Sequence, residues 1–247
     1  MSGLLLPAHE ACQLIVLFAR NERGRLSFLL FNSIALPATF VYLFLLVGDE
    51  TSAWRDFTVA GGLTLSLAGS VAQTGEAMLT DRFDGRTALL FTTPISKAGY
   101  YLARVGVGTI EGTATLLIGL SLCFAAGLAD PSAEDLPQIL LASLAGAVGL
   151  CSLGGALAQC ARSRDVGAVL VTLAPVSLGA LSPVLYPPSA LPPLIEPVSW
   201  LSPFTHIAAQ LRAAVAGSSM PWQHFAASLI LGGLFSLVGY RELRWRS

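Results

Sequence analysis

Residues 136 to 161, LPQILLASLAGAVGLCSLGGALAQCA, contain no charged side chain. A helix rises about 1.5 Å per residue, so about 20 apolar residues cross the hydrocarbon core of a bilayer. Inside lipid the backbone must satisfy its own donors and acceptors, and a single apolar segment does that as a helix. Five further stretches share the character of this one: 26–47, 57–79, 100–128, 166–186 and 220–240. The chain is therefore expected to be an all-α membrane protein, one transmembrane domain over 1–247 with six transmembrane helices. Only 12% of its residues are charged, against about 25% in soluble domains, so lipid is the expected solvent. Glycines recur inside the spans, as in GGLTLSLAGS and SLAGAVGLCSLGGALAQ, and small residues let membrane helices approach closely.

Arginine placement sets the direction. With the N-terminus inside, the inner segments hold Arg20, Arg23, Arg25, Arg82, Arg86, Lys97, Arg162, Arg164, Arg241, Arg244 and Arg246. Arg104 stands at the inner end of the third span, which brings the inner side to 12 of the 14 basic residues. Only Arg55 and Arg212 fall outside, beside Asp49, Glu50, Asp56, Asp130, Glu134, Asp135 and Glu196. Basic residues stay on the cytoplasmic side, so both termini are expected there. Leu4–Leu6 is cut off by Pro7, and the apolar run Leu14–Ala19 precedes its positive charges. That is the reverse of a secretory signal, so the N-terminus is expected to be retained. Its segment 7–25 reads as an interfacial helix.

Little here points to chemistry. The four cysteines form no C-x-x-C, and His9, His206 and His224 are scattered, so no metal site is expected. No nucleophile stands beside a base, and no catalytic residue is expected. The phosphate-binding pattern G-x-x-x-x-G-K-[ST] is missing, so this chain is not expected to hydrolyse ATP. A net charge of −1 gives no reason to expect a nucleic-acid partner. Ionisable groups within spans are functional candidates by default. Gln73, Glu76, Arg104 and Glu111 are the pathway or buried polar candidates, with Glu76 and Arg104 at similar depth and expected to pair. Glu111 lies eleven residues past Tyr100, about 16 Å along the helix, suited to a packing hydrogen bond or to a pathway role.

Prolines crowd the outer segment between spans five and six, SPVLYPPSALPPLIEPVSWLSPFTH. Proline lacks a donor and breaks helices. Residues 187–219 are expected to form a re-entrant helical hairpin of two short helices, marked by Tyr186, Pro187, Pro188, Pro192, Pro193, Trp200, Pro203, Thr205 and His206. The longest inner segment, 80–98, carries the mixed-charge run Asp81, Arg82, Phe83, Asp84, Gly85 and Arg86.

Two of these regions carry a family resemblance. EAMLTDRFDGRTALLFTTPISKAGYYLARV is similar to the inner loop of the permease subunits of type-two ABC exporters, which serve drug, antibiotic and polysaccharide export. There an acidic–arginine–glycine run precedes a leucine-rich TP(I/V)S. The proline-rich segment resembles the same family's outer YP-x-x-x-LP…P-x-T-H element. One departure is the run DRFDGR, where family loops often have Glu-Arg-Glu. The resemblance implies a permease in the bacterial cytoplasmic membrane, with membrane lipid around it. It implies export and a second permease subunit, identical or different, while the few charges within the spans favour an amphiphilic or apolar cargo over a highly charged polymer. It also implies two copies of a separate subunit that binds ATP and magnesium, with Asp81–Arg86 as the coupling contact. Two other functions suit six spans. One is an accessory or sensor membrane protein. The other is a membrane-embedded lipid-modifying enzyme, which needs clustered His, Asp or Glu at one membrane face.

Overall fold

The computed structural model describes residues 2–21, 34–35, 38–39, 42, 46, 52–90, 92–128, 136–184, 186–187 and 192–243. The expected first span, 26–47, lies almost wholly outside the described residues, as does Pro188. The helices are α1 (Ser2–Asn21), α2 (Ser52–Ser66), α3 (Ala68–Phe83), α4 (Arg86–Leu90), α5 (Lys97–Ala125), α6 (Leu136–Cys160), α7 (Arg164–Leu181), α8 (Glu196–Ser199), α9 (Pro203–Val215) and α10 (Trp222–Glu242). Among the described residues α5, α6, α7 and α10 are long and apolar enough to cross a membrane. They correspond to the expected spans three to six.

The expected second span is instead two helices. At Leu67 the chain tightens: its N–H reaches the Thr64 carbonyl at 3.2 Å, and Ser70 N–H reaches the Leu67 carbonyl at 3.0 Å. Thr64 Oγ1 and Ser66 Oγ donate to the carbonyls of Ala60 and Leu63, both at 2.7 Å. Such back-bonding bends helices. Two boundaries also differ from expectation. Helix α3 continues through Phe83, so residues 80–83 are helical rather than loop. Helix α7 passes through Pro175 and ends at Leu181 instead of Tyr186, because Ser182 is extended, with φ −94° and ψ 149°. Ser182 precedes Pro183, whose ring disfavours the helical region for the residue before it.

Helix α6 is the hub, packed on α3, α5, α7, α9 and α10. Lipid offers no hydrophobic drive for helices to associate, so close approach and dispersion must hold them. At Gly154 an added Cβ would lie 2.3 Å from the Val71 carbonyl oxygen of α3, and at Gly232 it would lie 3.1 Å from the Gly149 Cα. The backbones at these crossings are almost in contact.

The apolar faces of α7 (Val166, Val169, Leu173, Val176) and α10 (Leu229, Ile230, Leu234, Leu237) point outward, as a lipid-facing surface requires. Helix α9 does the opposite. Phe204, Ile207 and Leu211 are buried in one core with Val59, Leu63, Leu116, Leu120 and Ile139. Of the two expected hairpin helices, the first is a single turn, α8, and the second is an internal structural element.

Candidate functional site

The end of the bundle that the arginine count assigns to the cytosol is organised by three side chains at and just past the end of α3, Asp81, Arg82 and Asp84. Asp81 is buried, and its Oδ2 accepts from Arg104 Nε at 2.7 Å, Arg104 Nη2 at 2.5 Å and Tyr100 Oη at 2.9 Å. The Phe18 ring of α1 lies 3.8 Å from the Arg104 guanidinium carbon, adding a cation–π contact. Two expectations are corrected by this geometry. Arg104 pairs with Asp81 rather than Glu76, which is exposed. Asp81 faces the interior rather than the surface of the loop, because α3 extends one turn further than expected and carries it inward.

Arg82 points to α6. Its Nη1 donates to the carbonyls of Ala158, Gln159 and Ala161 at 3.3, 3.1 and 3.0 Å. These belong to the end of α6, where carbonyls lack helical partners and the helix dipole is negative. The guanidinium also covers the Phe83 ring at 5.0 Å. Asp84 then forms an exposed ion pair with Arg164 Nη1 at 2.9 Å, at the start of α7. Gly85 follows with φ +75°, a left-handed turn that glycine enters freely. The chain then starts α4, whose Arg86 and Leu89 are exposed. A cavity of about 400 Å³ lies beneath, lined by Leu17, Phe18, Asp81, Arg86, Leu89 and Arg104 among others.

Helix α1 closes this end. Ala11, Leu14 and Phe18 pack on Tyr100, Ala103 and Val107 of α5, so α1 rests on protein along one side. Glu10 accepts from Ser96 Oγ at 2.5 Å and Ser96 N at 3.1 Å. The hydroxyl bond above all holds the Glu10 carboxyl below its ordinary range. Ser96 also caps α5, its Oγ accepting from Gly99 N at 3.0 Å. Lys97 Nζ donates to the Leu243 carbonyl at 3.3 Å. The loop 80–98 is thus fastened to α1, α6, α7 and the end of α10.

The remaining polar candidates do not gather with these. Gln73 is half-buried, and its Nε2 has no hydrogen-bond partner among the described residues. Glu111 is half-buried on α5. At the other end of the bundle, Tyr186 Oη donates to the Ala180 carbonyl at 2.9 Å, while Pro187, Pro192 and Pro193 are exposed. Pro203 occupies the first turn of α9, where its missing donor costs nothing. Thr205 Oγ1 donates to the Ser199 carbonyl at 2.6 Å. Trp200 and His206 meet each other there. Tyr100, Phe18 and Glu10 at the first end, and Gln210 and His224 at the other, carry no signal in the sequence for these contacts. Only long-range pairing reveals them. Arg212, one of the two arginines assigned outside, donates to the carbonyls of Pro183 and Val184 and lies 3.9 Å over the Phe57 ring.

The family model of the ABC-2 type transporter matches residues 12–216. The chain therefore belongs to the ABC-2 type transporter family, as a multi-pass permease component whose family implies an ATP-binding partner subunit. No curated protein matches it.

Proposed function

We propose that the chain is the permease subunit of an ATP-driven exporter that moves an amphiphilic or apolar cargo, such as a drug, an antibiotic or a lipid-linked glycan, out across the bacterial cytoplasmic membrane. Two copies, or this chain with a related one, enclose the pathway, and two ATP-binding subunits carrying ATP and magnesium drive it. Six spans with both termini inside fit the arginine distribution. The segment 187–219 closes the pathway on the outside as a re-entrant hairpin. Gln73 and Glu76, one turn apart on α3, offer a polar surface to the cargo, with Glu111 deeper on α5.

The observation that carries this reading is the tether at the end of α3. Arg82 grips the end of α6 and Asp84 grips the start of α7, while the adjoining Arg86 and Leu89 stay exposed. A force applied at α4 is passed to three spanning segments at once. We therefore assign direct contact with the ATPase to α4, through Arg86 and Leu89 with Gly85 as the turn. Arg82, Phe83 and Asp84 transmit, and Asp81 supports. Rigid-body rocking of helices around a fixed pathway has precedent among transporters.

The test is co-purification of the ATP-binding subunit with the wild-type chain, with Leu89→Glu and with Arg86→Glu, followed by cargo-stimulated ATP turnover in nanodiscs. Both variants should fold, lose the ATPase and lose stimulation. Normal capture and transport by both variants would place the contact elsewhere.

A further inference from the structure

Three rings meet where α9 begins: Trp200 just after α8, His206 on α9 and His224 on α10. His206 Nε2 lies 2.8 Å from the Trp200 carbonyl oxygen. A carbonyl only accepts, so His206 holds a proton on Nε2 and, when neutral, leaves Nδ1 bare. That bare nitrogen is 3.0 Å from His224 Nδ1. One partner must donate, so His224 carries its proton on Nδ1 and has its own Nε2 bare. The His224 ring stacks on the Trp200 indole with centroids 5.1 Å apart and planes 17° from parallel. Gln210 closes the cluster from α9, its Nε2 donating to the carbonyls of His206 and His224 and to Ser228 Oγ, at 3.1, 3.3 and 2.9 Å.

We propose that His206, His224 and Trp200 form a proton-operated latch between α9 and α10, one that holds through a first protonation and opens on a second. The first proton has one vacant nitrogen to take, Nε2 of His224. The resulting imidazolium stays stacked on the indole face, a favourable cation–π arrangement. Its Nδ1–H now donates to His206 as a charged group, and charge-assisted hydrogen bonds are the stronger kind. The second proton has only His206 Nδ1 to take, and that nitrogen is the acceptor of the latch bond. Its protonation leaves two donors and two cations face to face at the old bonding distance. The two steps belong to the pair rather than to either ring.

Among the neighbouring helices, α5 packs on α10 and carries Lys97, Arg104 and Glu111. Helix α6, packed on both α9 and α10, contains no Asp, Glu, Lys, Arg or His. On α9 itself Arg212 is engaged with Pro183 and Val184. Glu196 begins α8 at an exposed position, and Arg55 and Asp56 are the fourth and fifth residues of α2. On α10 the other ionisable groups, Tyr240, Arg241 and Glu242, are at its far end, and Arg164 and Asp165 stand at the far end of α7.

The latch needs neither cargo nor the ATPase contact, so the isolated full chain in lipid nanodiscs suffices to test it. Nitrogen-15 histidine NMR is recorded from about pH 8 to about pH 4, bracketing the ordinary imidazole value. At the alkaline end one ring of the pair should be an Nε2–H tautomer and the other Nδ1–H, and the pair should titrate in two separated steps. His9, exposed and bonded to Gln13 on its own helix, gives a third signal that lies outside the pair. Hydrogen exchange over 203–215, corrected for the intrinsic pH dependence, should accelerate about tenfold across the second step and not across the first. In His224→Phe the stack is kept and the acceptor pair is gone, so exchange over 203–215 should no longer change with pH. Two Nε2–H tautomers titrating together, or acceleration at the first step, would overturn the latch. So would a shift of both rings on adding zinc at constant alkaline pH, which would make the pair a metal site.

Discussion

Asp81→Asn should be the most damaging conservative substitution at the end of α3. The carboxylate it removes is 2% exposed and neutralises an Arg104 side chain that is 6% exposed. Breaking one partner of a buried ion pair costs about 3–5 kcal/mol, because the other charge remains buried and unpaired. Two features here pull the value to the lower end of that range. The asparagine oxygen can still accept from one or two of the three donors at Oδ2, and the Phe18 ring at 3.8 Å gives the guanidinium some compensation. A loss of about 3 kcal/mol, or about a hundredfold in the unfolding equilibrium, is expected. The double variant Asp81→Leu/Arg104→Met removes both charges and should return to within about 1 kcal/mol of the parent, since apolar replacement of a buried pair is often neutral or stabilising. Tyr100→Phe deletes one bond to a charged acceptor and should cost about 1.5 kcal/mol. Equilibrium unfolding in mixed micelles, followed by circular dichroism and extended to the singles Asp81→Leu and Arg104→Met, gives all six stabilities and the coupling between positions 81 and 104. A single Asp81→Asn loss below about 1 kcal/mol, or a double variant as weak as the sum of the singles, would refute the argument.

Arg82→Lys should be nearly as disruptive as Arg82→Ala, each losing about 1.5–3 kcal/mol in the same unfolding measurement, because an ammonium on a flexible stem does not reproduce a planar guanidinium against the carbonyls of Ala158, Gln159 and Ala161. Gly154→Ala places a methyl 2.3 Å from the Val71 oxygen and should cost about 1–3 kcal/mol, whereas Gly233→Ala, with nothing within 4 Å, should be tolerated or stabilising. The lowered Glu10 carboxyl contributes to docking of α1 fully above the ordinary glutamate value of about 4.3, and that contribution disappears as the pH falls through the lowered value. Limited proteolysis of α1 should therefore increase only at strongly acidic pH in the parent, and already at neutral pH in Glu10→Gln. For the topology, single cysteines at 164 and 196 in a cysteine-free background should react oppositely with an impermeant reagent on intact cells: 196 labels, and labelling of 164 would reverse the inside-out assignment.

Helix type and length were legible because an apolar run of spanning length in lipid has one solution. The four spans from Lys97 to Glu242 follow from it within a few residues. The break at Leu67 was not legible, since threonine and serine bend a helix only by choosing a backbone carbonyl over another partner, which packing decides. The same holds at the inner end. The residues 81–86 were picked out by charge, but alternating sign cannot tell which side chain turns inward. One extra turn of α3 sends Asp81 to Arg104, Arg82 to α6 and Asp84 to the surface. Proline content marked the outer segment, yet the buried face of α9 is set by Phe204, Ile207 and Leu211, whose spacing suits lipid and protein contact equally well.

The two grips at the end of α3 also impose a timetable on synthesis. Arg104 follows Asp81 by 23 residues, which at about 5–20 residues per second is a wait of about 1–5 s. Arg82 must wait for the carbonyl of Gln159, 77 residues on, about 4–15 s at the same pace. The carboxylate of Asp81 thus has its arginine available well before α6 brings the carbonyls that Arg82 meets. Neighbouring positions on one helical turn receive their partners in succession, and the nascent chain closes around α3 in the order in which the ribosome delivers them.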